Sequence, residues 1–302
     1  MIDGIINVYK EKGYTSFDVV AKLRGILKQK KIGHTGTLDP MAEGVLIVCL
    51  GKATKLVDIL VTSTKEYKAS MKLGEETDTE DITGSPISKN DLWKNLDEET
   101  VVHTINSFVG SYEQLPPMYS AIKKDGKKLY EYAREGIEIE REKRSVKIIS
   151  ISDIRIELPY VHFDVKCSKG TYIRSLCRDI GRKLGCGAVL SGLLRSELLG
   201  MYAHDAYKLS DIEALRGENG LDKCIVPMDV LLKDYERLDI NPRALKLLQN
   251  GNKLKPFSFI NYTDENNDKI SGIYRVYDKD KLMALYEYKT DEDIFVPYKM
   301  FL

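Results

Sequence analysis

One aspartate stands in a loop that could hold a carboxylate ready for chemistry. Asp39 lies at the centre of GHTGTLDPMAEGVL, residues 33–46, where glycines permit backbone angles that other residues resist. Pro40 cannot donate a backbone hydrogen bond, and it favours an extended conformation at Asp39. The apolar run VLIVCL follows and predicts a buried strand. Because an ionised carboxylate needs no separate base, Asp39 is a candidate nucleophile; an ordinary Asp-Pro turn is the alternative.

The string GHTGTLDPMAEGVL closely resembles the catalytic motif of the tRNA pseudouridine synthase B family. In that family the aspartate of GTLDP is the catalytic nucleophile, so the resemblance implies this role for Asp39. KGTYIRSL resembles a second family motif, whose arginine pairs with the catalytic aspartate, and this implies the same for Arg174. Such an ion pair would fix the orientation of the carboxylate and favour its charged form.

The same resemblance implies further contacts with the target base and the RNA. Tyr67 occupies the place of a tyrosine that stacks on the base, although a core tyrosine would show the same pattern. Tyr172 is expected in the wall of the site, and Leu193 of GLLRSELLG either contacts the base or lies in the core. His34 is expected to fill the gap left by the flipped base. Lys12 is an expected contact in YKEKGYTS, where an acidic residue replaces the family's usual proline.

A polar segment at residues 112–145 interleaves tyrosines with lysines. It resembles the family's RNA-gripping insertion almost throughout. Lysines can meet phosphates and aromatic rings can stack on bases, so this composition suits RNA. A mobile surface hairpin is the alternative, and both descriptions hold if the segment becomes ordered on binding.

The elements along the chain predict an α+β fold. Residues 4–9 and the alternating stretch 65–74 predict strands, and a helix is expected from Ser16 as N-cap, with Phe17 on its apolar face. The resemblance implies a mixed, largely antiparallel sheet of the pseudouridine synthase type with flanking helices. A change of texture near residue 235 predicts two domains, a catalytic domain at 1–235 and a small β-rich, PUA-like RNA-binding domain at 236–302.

Composition narrows the class of protein without naming a substrate. The formal net charge is zero, but residues 22–34 carry five lysines and arginines and no acid, a patch that could face a polyanion. The five cysteines form no CxxC pair and the histidines show no zinc-ligand spacing, so no metal is expected. No signal-type or membrane-length apolar run occurs. A cytoplasmic, soluble protein is the expectation.

By resemblance, the chain is expected to isomerise uridine to pseudouridine at position 55 in the T-loop of tRNA. The target base must leave its stack to be reached. Asp39 would attack carbon 6 of the base or the ribose anomeric carbon, or assist elimination, and the sequence does not choose among these. Because nothing is oxidised or transferred from outside, no cofactor is expected.

Two other functions fit the same residues. The chain could be an RNA-binding folding factor without required chemistry, but an intact GTLDP together with Arg174 favours catalysis. It could instead act on another RNA through a guide, which the short C-terminal module makes less favourable. No protein partner is implied, the expected partner is the T-stem-loop of tRNA, and a monomer is expected.

Overall fold

A computed structural model describes residues 1–262 and 272–302 of the chain. The α-helices are α1 (Ser16–Leu27), α2 (Val57–Leu60), α3 (Glu98–Asn106), α4 (Leu129–Arg134), α5 (Ile173–Lys183), α6 (Leu209–Gly217) and α7 (Leu245–Gln249). The strands are β1 (Gly4–Lys10), β2 (Ile32–His34), β3 (Glu43–Leu50), β4 (Lys65–Leu73), β5 (Glu75–Thr77), β6 (Pro86–Lys89), β7 (Gly110–Gln114), β8 (Lys123–Lys124), β9 (Lys127–Lys128), β10 (Arg144–Glu157), β11 (Tyr160–Cys167), β12 (Ala188–Leu198), β13 (Met201–Tyr202), β14 (Glu236–Asp239), β15 (Ile273–Asp278), β16 (Lys281–Lys289) and β17 (Ile294–Met300).

One large sheet organises the N-terminal part of the chain. Its main order is β1-β3-β12-β4-β11-β10-β7, with β2 beside β3 and β13 beside β12. All of these neighbours are antiparallel except β12 and β3, which pair in parallel. The predicted mixed, largely antiparallel sheet is therefore confirmed. The parallel pairing sets Arg195 opposite Gly44, so β12 runs beside the strand that follows the Asp39 loop.

Helices cover the sheet in two hydrophobic clusters of buried side chains. One cluster joins α3 and α5 to β4, β10, β11 and β12, and the other joins α1 and α6 to β1 and β3. The apolar run VLIVCL forms most of β3 and is buried throughout, as its composition predicts. The catalytic-motif loop therefore lies between two strands anchored in the core.

The start of α1 differs from the prediction. Thr15, not Ser16, is the N-cap, because its hydroxyl accepts from the Asp18 backbone while the Asp18 carboxylate accepts from the Thr15 backbone. Ser16 is buried, and its hydroxyl accepts a hydrogen bond of 2.9 Å from the Leu38 backbone. Phe17 was expected on the apolar face but is 67% exposed. The helix therefore uses its first turn to hold the loop of Asp39.

Residues 236–302 form a small β-rich unit at the end of the chain. Its sheet has the order β14-β15-β16-β17, and one cluster of buried side chains, including Leu238 and Phe295, lies within it. A second cluster is shared, because Leu285 and Phe301 pack with Ile5 of the large sheet. The domain boundary near residue 235 stays a prediction, and the shared cluster gives the two parts a common apolar contact.

We expect the shared cluster to contribute strongly to stability. Replacing Phe301, which is 1% exposed, by Ala removes a buried ring and should lower the free energy of unfolding by about 3 to 5 kcal/mol. Urea unfolding followed by circular dichroism measures this loss, and Phe17→Ala is the control because Phe17 is exposed. A loss below about 1 kcal/mol would show that the contact between the two parts is loose.

Candidate active site

A buried lysine of β1 binds the loop between β2 and β3. Lys10 of β1 has no exposed surface, and its ammonium donates to the carbonyls of Ala42 (2.5 Å), Glu11 (3.1 Å) and Pro40 (3.4 Å). Burial lowers the pKa of Lys10 to about 8, and the Asp39 carboxylate opposes this. Because buried ammonium groups require acceptors, Lys10 fixes the backbone that directly follows the aspartate.

Arg174 at the start of α5 faces both oxygens of the Asp39 carboxylate. Its Nε lies 2.8 Å from Oδ2, and its Nη2 donates to Oδ1 over 3.1 Å. The arginine is buried, whereas about a third of the Asp39 side chain (33%) remains open. The contact implied by the family resemblance is therefore present, and it leaves an accessible carboxylate beside a fixed guanidinium.

The remaining donors of Arg174 are used by two loop carbonyls. Nη1 donates to Thr79 over 2.9 Å, and Nη2 donates to Tyr119 over 2.8 Å. The Asp81 carboxylate lies 4.0 Å from Nη1. Because the guanidinium is planar and its donors point in fixed directions, these contacts define where it can stand.

The pKa of the Asp39 carboxyl is raised above its ordinary value. Burial among protein atoms is the largest cause and the nearby Asp81 adds to it, while Arg174 and Lys10 lower the pKa only in part. Taken alone, Arg174 lowers the pKa of Asp39 and so favours its charged form, as expected. Desolvation outweighs it, so the carboxylate is more basic than an exposed one.

Three arginines on one face of α5 meet three acidic residues of the segment between β4 and β6. The pairs are Arg174 with Asp81 (4.0 Å), Arg178 with Glu80, and Arg182 with Glu76 (2.9 Å). The i, i+4 spacing of the arginines places them on one face, as expected. The side chain of Arg182 is 58% exposed, whereas Arg174 and Arg178 are buried.

Tyr67 and Arg195 face each other across neighbouring strands. They are register partners in β4 and β12, and the tyrosine hydroxyl and the guanidinium interact electrostatically. Tyr67 is 7% exposed and Arg195 is fully buried. Burial raises the pKa of Tyr67 and Arg195 opposes this rise, so the hydroxyl keeps its proton at neutral pH.

Arg195 is a residue of this region that the sequence prediction missed. It donates to the carbonyl of Val45 over 2.7 Å and to that of Gly36 over 3.3 Å, which ties the loop of Asp39 to the sheet. The available sequence signal is that Arg195 is the one basic residue of the mainly apolar strand β12. An arginine is almost never fully buried unless it has partners, so such a position indicates a residue with a specific set of contacts.

Leu193, Tyr172 and His34 differ in burial and in their contacts. Leu193 is 7% exposed and belongs to the same cluster as Leu38 and Tyr67. Tyr172 is the N-cap residue of α5, and its backbone N–H donates to the side-chain oxygen of Gln114 over 2.8 Å. His34 ends β2, and its Nδ1 accepts from the Gly36 backbone over 3.3 Å. Burial lowers the pKa of His34, so the ring is neutral at pH 7.

Lys12 is an exposed residue beside the start of β3. Its side chain is 60% exposed, and its Nζ is 3.8 Å from the carboxylate of Glu43 at the start of β3. An exposed pair at this distance contributes little to stability. The role of Lys12 as an RNA contact therefore stays a prediction, and the structure shows an exposed ammonium group beside Glu43.

The predicted insertion rises between β7 and β10 and carries a small hairpin, β8 and β9, followed by α4. Some of its lysines have protein partners: Lys127 pairs with Glu135, and Lys124 donates to the Glu140 carbonyl. Lys128 lies 5.4 Å from the ring centre of Tyr130, while Lys123 is exposed. Cations and aromatic rings thus lie close together within the insertion.

A metal-binding cluster and a membrane-spanning helix are both absent from residues 1–262 and 272–302. Within them, no group of three or more His, Cys, Asp or Glu side chains could hold a metal ion. The helices of these ranges include none that is long and apolar enough to cross a membrane. The five cysteines are free and buried.

Comparison with protein families gives matches over most of the chain. Residues 24–173 match the model described as TruB family pseudouridylate synthase (N terminal domain), and residues 174–233 match the tRNA pseudouridylate synthase B C-terminal domain. The first match contains the Asp39 loop and Tyr67, and the second begins at Arg174. Both partners of the central ion pair therefore lie within the matched ranges.

Individual proteins extend the similarity to the whole chain. The tRNA pseudouridine synthase B of Clostridium tetani (strain Massachusetts / E88) is 47% identical over 291 residues, which cover 96% of this chain and 97% of that protein. The tRNA pseudouridine synthase B of Lachnoclostridium phytofermentans (strain ATCC 700394 / DSM 18823 / ISDg) is 46% identical over 313 residues, which cover both chains fully.

Solved structures show the same fold. A chain from a Cbf5-Nop10-Gar1 complex is 28% identical with a TM-score of 0.74, and one from an H/ACA RNP bound to a substrate RNA containing 2'-deoxyuridine is 27% identical with a TM-score of 0.72. Each match covers 99% of this chain and 85% of the other. Together with the ion pair at the head of α5, these similarities place the chain in the TruB family, and it is a pseudouridine synthase.

Proposed function

We propose that the protein converts uridine to pseudouridine at position 55 in the T-loop of tRNA. The observation that carries the proposal is the Asp39 carboxylate, partly open and oriented by Arg174 at 2.8 and 3.1 Å. Relatives that are 46 to 47% identical are named tRNA pseudouridine synthase B. The T-loop position rests on resemblance to that family, and the experiments below test it directly.

The reaction rearranges one nucleotide, so it needs a reactive group and a space in which the base can turn. The target base first leaves its stack. The bond between N1 and the anomeric carbon then breaks, the base rotates, and a bond forms between carbon 5 and the anomeric carbon. The proton lost from carbon 5 is balanced by one gained at N1. The proposal therefore includes no cofactor or metal.

Asp39 is the group that assists the breaking of the glycosidic bond, either by direct attack or by aiding elimination. A carboxylate with a raised pKa is a stronger nucleophile and base than an exposed one. Arg174 keeps both oxygens in a fixed direction, which saves the cost of orienting them during the reaction. Tyr67 and Leu193 belong to the same apolar cluster as Leu38 of the loop. We propose that they give the base an apolar surface on which to turn.

The remaining residues are proposed to contact the RNA. His34 is neutral and half-buried at the entrance of the loop, so it can fill the space of an extruded base. Tyr172 contributes to the wall, and Lys12 meets the backbone at the rim. The lysines of the insertion add phosphate contacts. We propose that the enzyme acts as a monomer in the cytoplasm, with the tRNA as its partner.

Asp39→Asn tests the role of the carboxylate. The amide has nearly the same shape but lacks the charge, so pseudouridine formation in unmodified tRNA should fall by at least about 10³-fold. The affinity for tRNA should change less than about threefold, because the other contacts with the RNA are unchanged. Mapping of pseudouridine along the tRNA and a filter-binding titration measure the two quantities. Substantial conversion by this variant would exclude Asp39 as the reactive group.

Arg174→Lys tests the orientation of that carboxylate. Lysine keeps the charge but loses the planar pair of donors, so we expect the rate at saturating tRNA to fall by about 10²-fold. Weaker support of the charged form should raise the pKa of Asp39 further. Activity would then be lost at higher pH on the acid side of the profile. Kinetics like those of the unchanged protein would reduce Arg174 to a structural residue.

Neutralising the lysines of the insertion tests its contact with phosphates. Replacement of residues 123, 124, 127 and 128 by Gln should weaken tRNA binding and reduce the slope of log affinity against log salt by about 0.7 to 0.9 for each lost contact. The control is Lys94→Gln, because this exposed lysine pairs with Asp91 outside the insertion. An unchanged slope would leave the insertion as a solvated hairpin.

A further inference from the structure

Glu80 combines three properties that rarely occur together. It is an acidic residue, it is 8% exposed, and its backbone has a φ of 63°, in the left-handed region that side chains other than glycine seldom adopt. Its carboxylate accepts from the Ser175 hydroxyl over 2.7 Å and from the Arg178 guanidinium. Both donors belong to α5, so the strained turn is held against the helix that carries Arg174.

The turn that contains Glu80 also contacts the guanidinium of Arg174. The residue before Glu80 supplies the Thr79 carbonyl to Nη1 of Arg174, and the residue after it supplies the Asp81 carboxylate. The Glu80 carbonyl also accepts from the Leu190 backbone of β12 over 3.1 Å. Relaxation of Glu80 to an ordinary φ would therefore move the acceptors on both sides of it.

Two arginines of α5 also contact the root of the insertion. Arg178 donates from Nη2 to the carbonyl of Leu115, just after β7, over 3.0 Å. Arg174 donates to the carbonyl of Tyr119, four residues further on, over 2.8 Å. The root of the segment proposed to hold RNA is therefore joined through α5 to the group that orients Asp39.

We infer that Glu80 is a positioning residue, which, braced by Ser175 and Arg178, sets the turn at 79–81 and with it the place of Arg174 at Asp39. This inference rests on the proposed function of the site. A role in stability alone is the weaker explanation, because a buried ion pair is often no more stabilising than apolar side chains of similar size. The residues on both sides of Glu80 face the guanidinium of Arg174, and this is the feature that orientation requires.

Glu80→Gln removes the charge and keeps the shape. The matched control is Glu76→Gln, which changes the acidic partner of Arg182 on the same helix face, where no contact with Arg174 is made. We expect Glu80→Gln to lower the single-turnover rate at saturating T-stem-loop RNA by about tenfold or more, with the dissociation constant changed less than threefold. Glu76→Gln should stay within about twofold in both quantities.

The pH profile separates orientation from mere loss of fold. The charged groups that act on Asp39 are Arg174, Asp81 and Lys10. If Glu80→Gln displaces Arg174, the acid side of the rate profile should move to higher pH, because the carboxylate loses part of its support. Fewer folded molecules would lower the rate equally at all pH values. A folded Glu80→Gln protein with a rate within twofold and an unmoved profile would overturn the inference.

Ser175→Ala keeps the test decisive if Glu80→Gln fails to fold. It deletes one hydrogen bond to Glu80 and leaves the ion pair, so we expect a smaller fall in rate, about two- to fivefold, with the same direction of the pH shift. A folded Ser175→Ala protein without either effect would overturn the inference. An unchanged protein that forms no pseudouridine in this RNA would instead refute the proposed function.

Discussion

The orientation of one carboxylate by one buried arginine is the constraint on which the rest of the structure depends. Arg174 cannot be left in the core without acceptors, since a buried charge without partners is costly. Its donors are therefore taken by Asp39 and by the carbonyls of Thr79 and Tyr119. Each of these acceptors belongs to a different segment of the chain, so the segments must meet at the head of α5.

Other buried cations extend the same principle to the loop itself. Lys10 binds the loop carbonyls from the side of β1, and Arg195 binds the carbonyl of Gly36 from the side of β12. Irregular backbone inside a protein needs donors for its carbonyl groups. Here lysine and arginine side chains supply them, which explains how a loop without regular structure can hold a reactive group in one place.

The surface around the carboxylate is built from less constrained parts. The insertion carries lysines and tyrosines, and carbonyl groups at its root accept hydrogen bonds from the arginines of α5. The C-terminal unit shares a cluster of apolar side chains with the large sheet. Binding energy from such distant contacts can be used to hold a tRNA while the central residues act on one nucleotide.

Local sequence determined what depends on neighbouring residues. The alternation in β4, the apolar run of β3 and the motif around Asp39 predicted strands and a reactive loop, because side-chain period and turn chemistry are local properties. The contact of Arg174 was implied by family resemblance alone. Only the tertiary structure showed that Arg195 lies opposite Tyr67 and that Glu80 forms an ion pair with Arg178. The partners in each pair are more than 90 residues apart in the sequence, so no local pattern connects them. It also decided the pKa of Asp39, because desolvation depends on every atom packed around a group and not on its sequence neighbours.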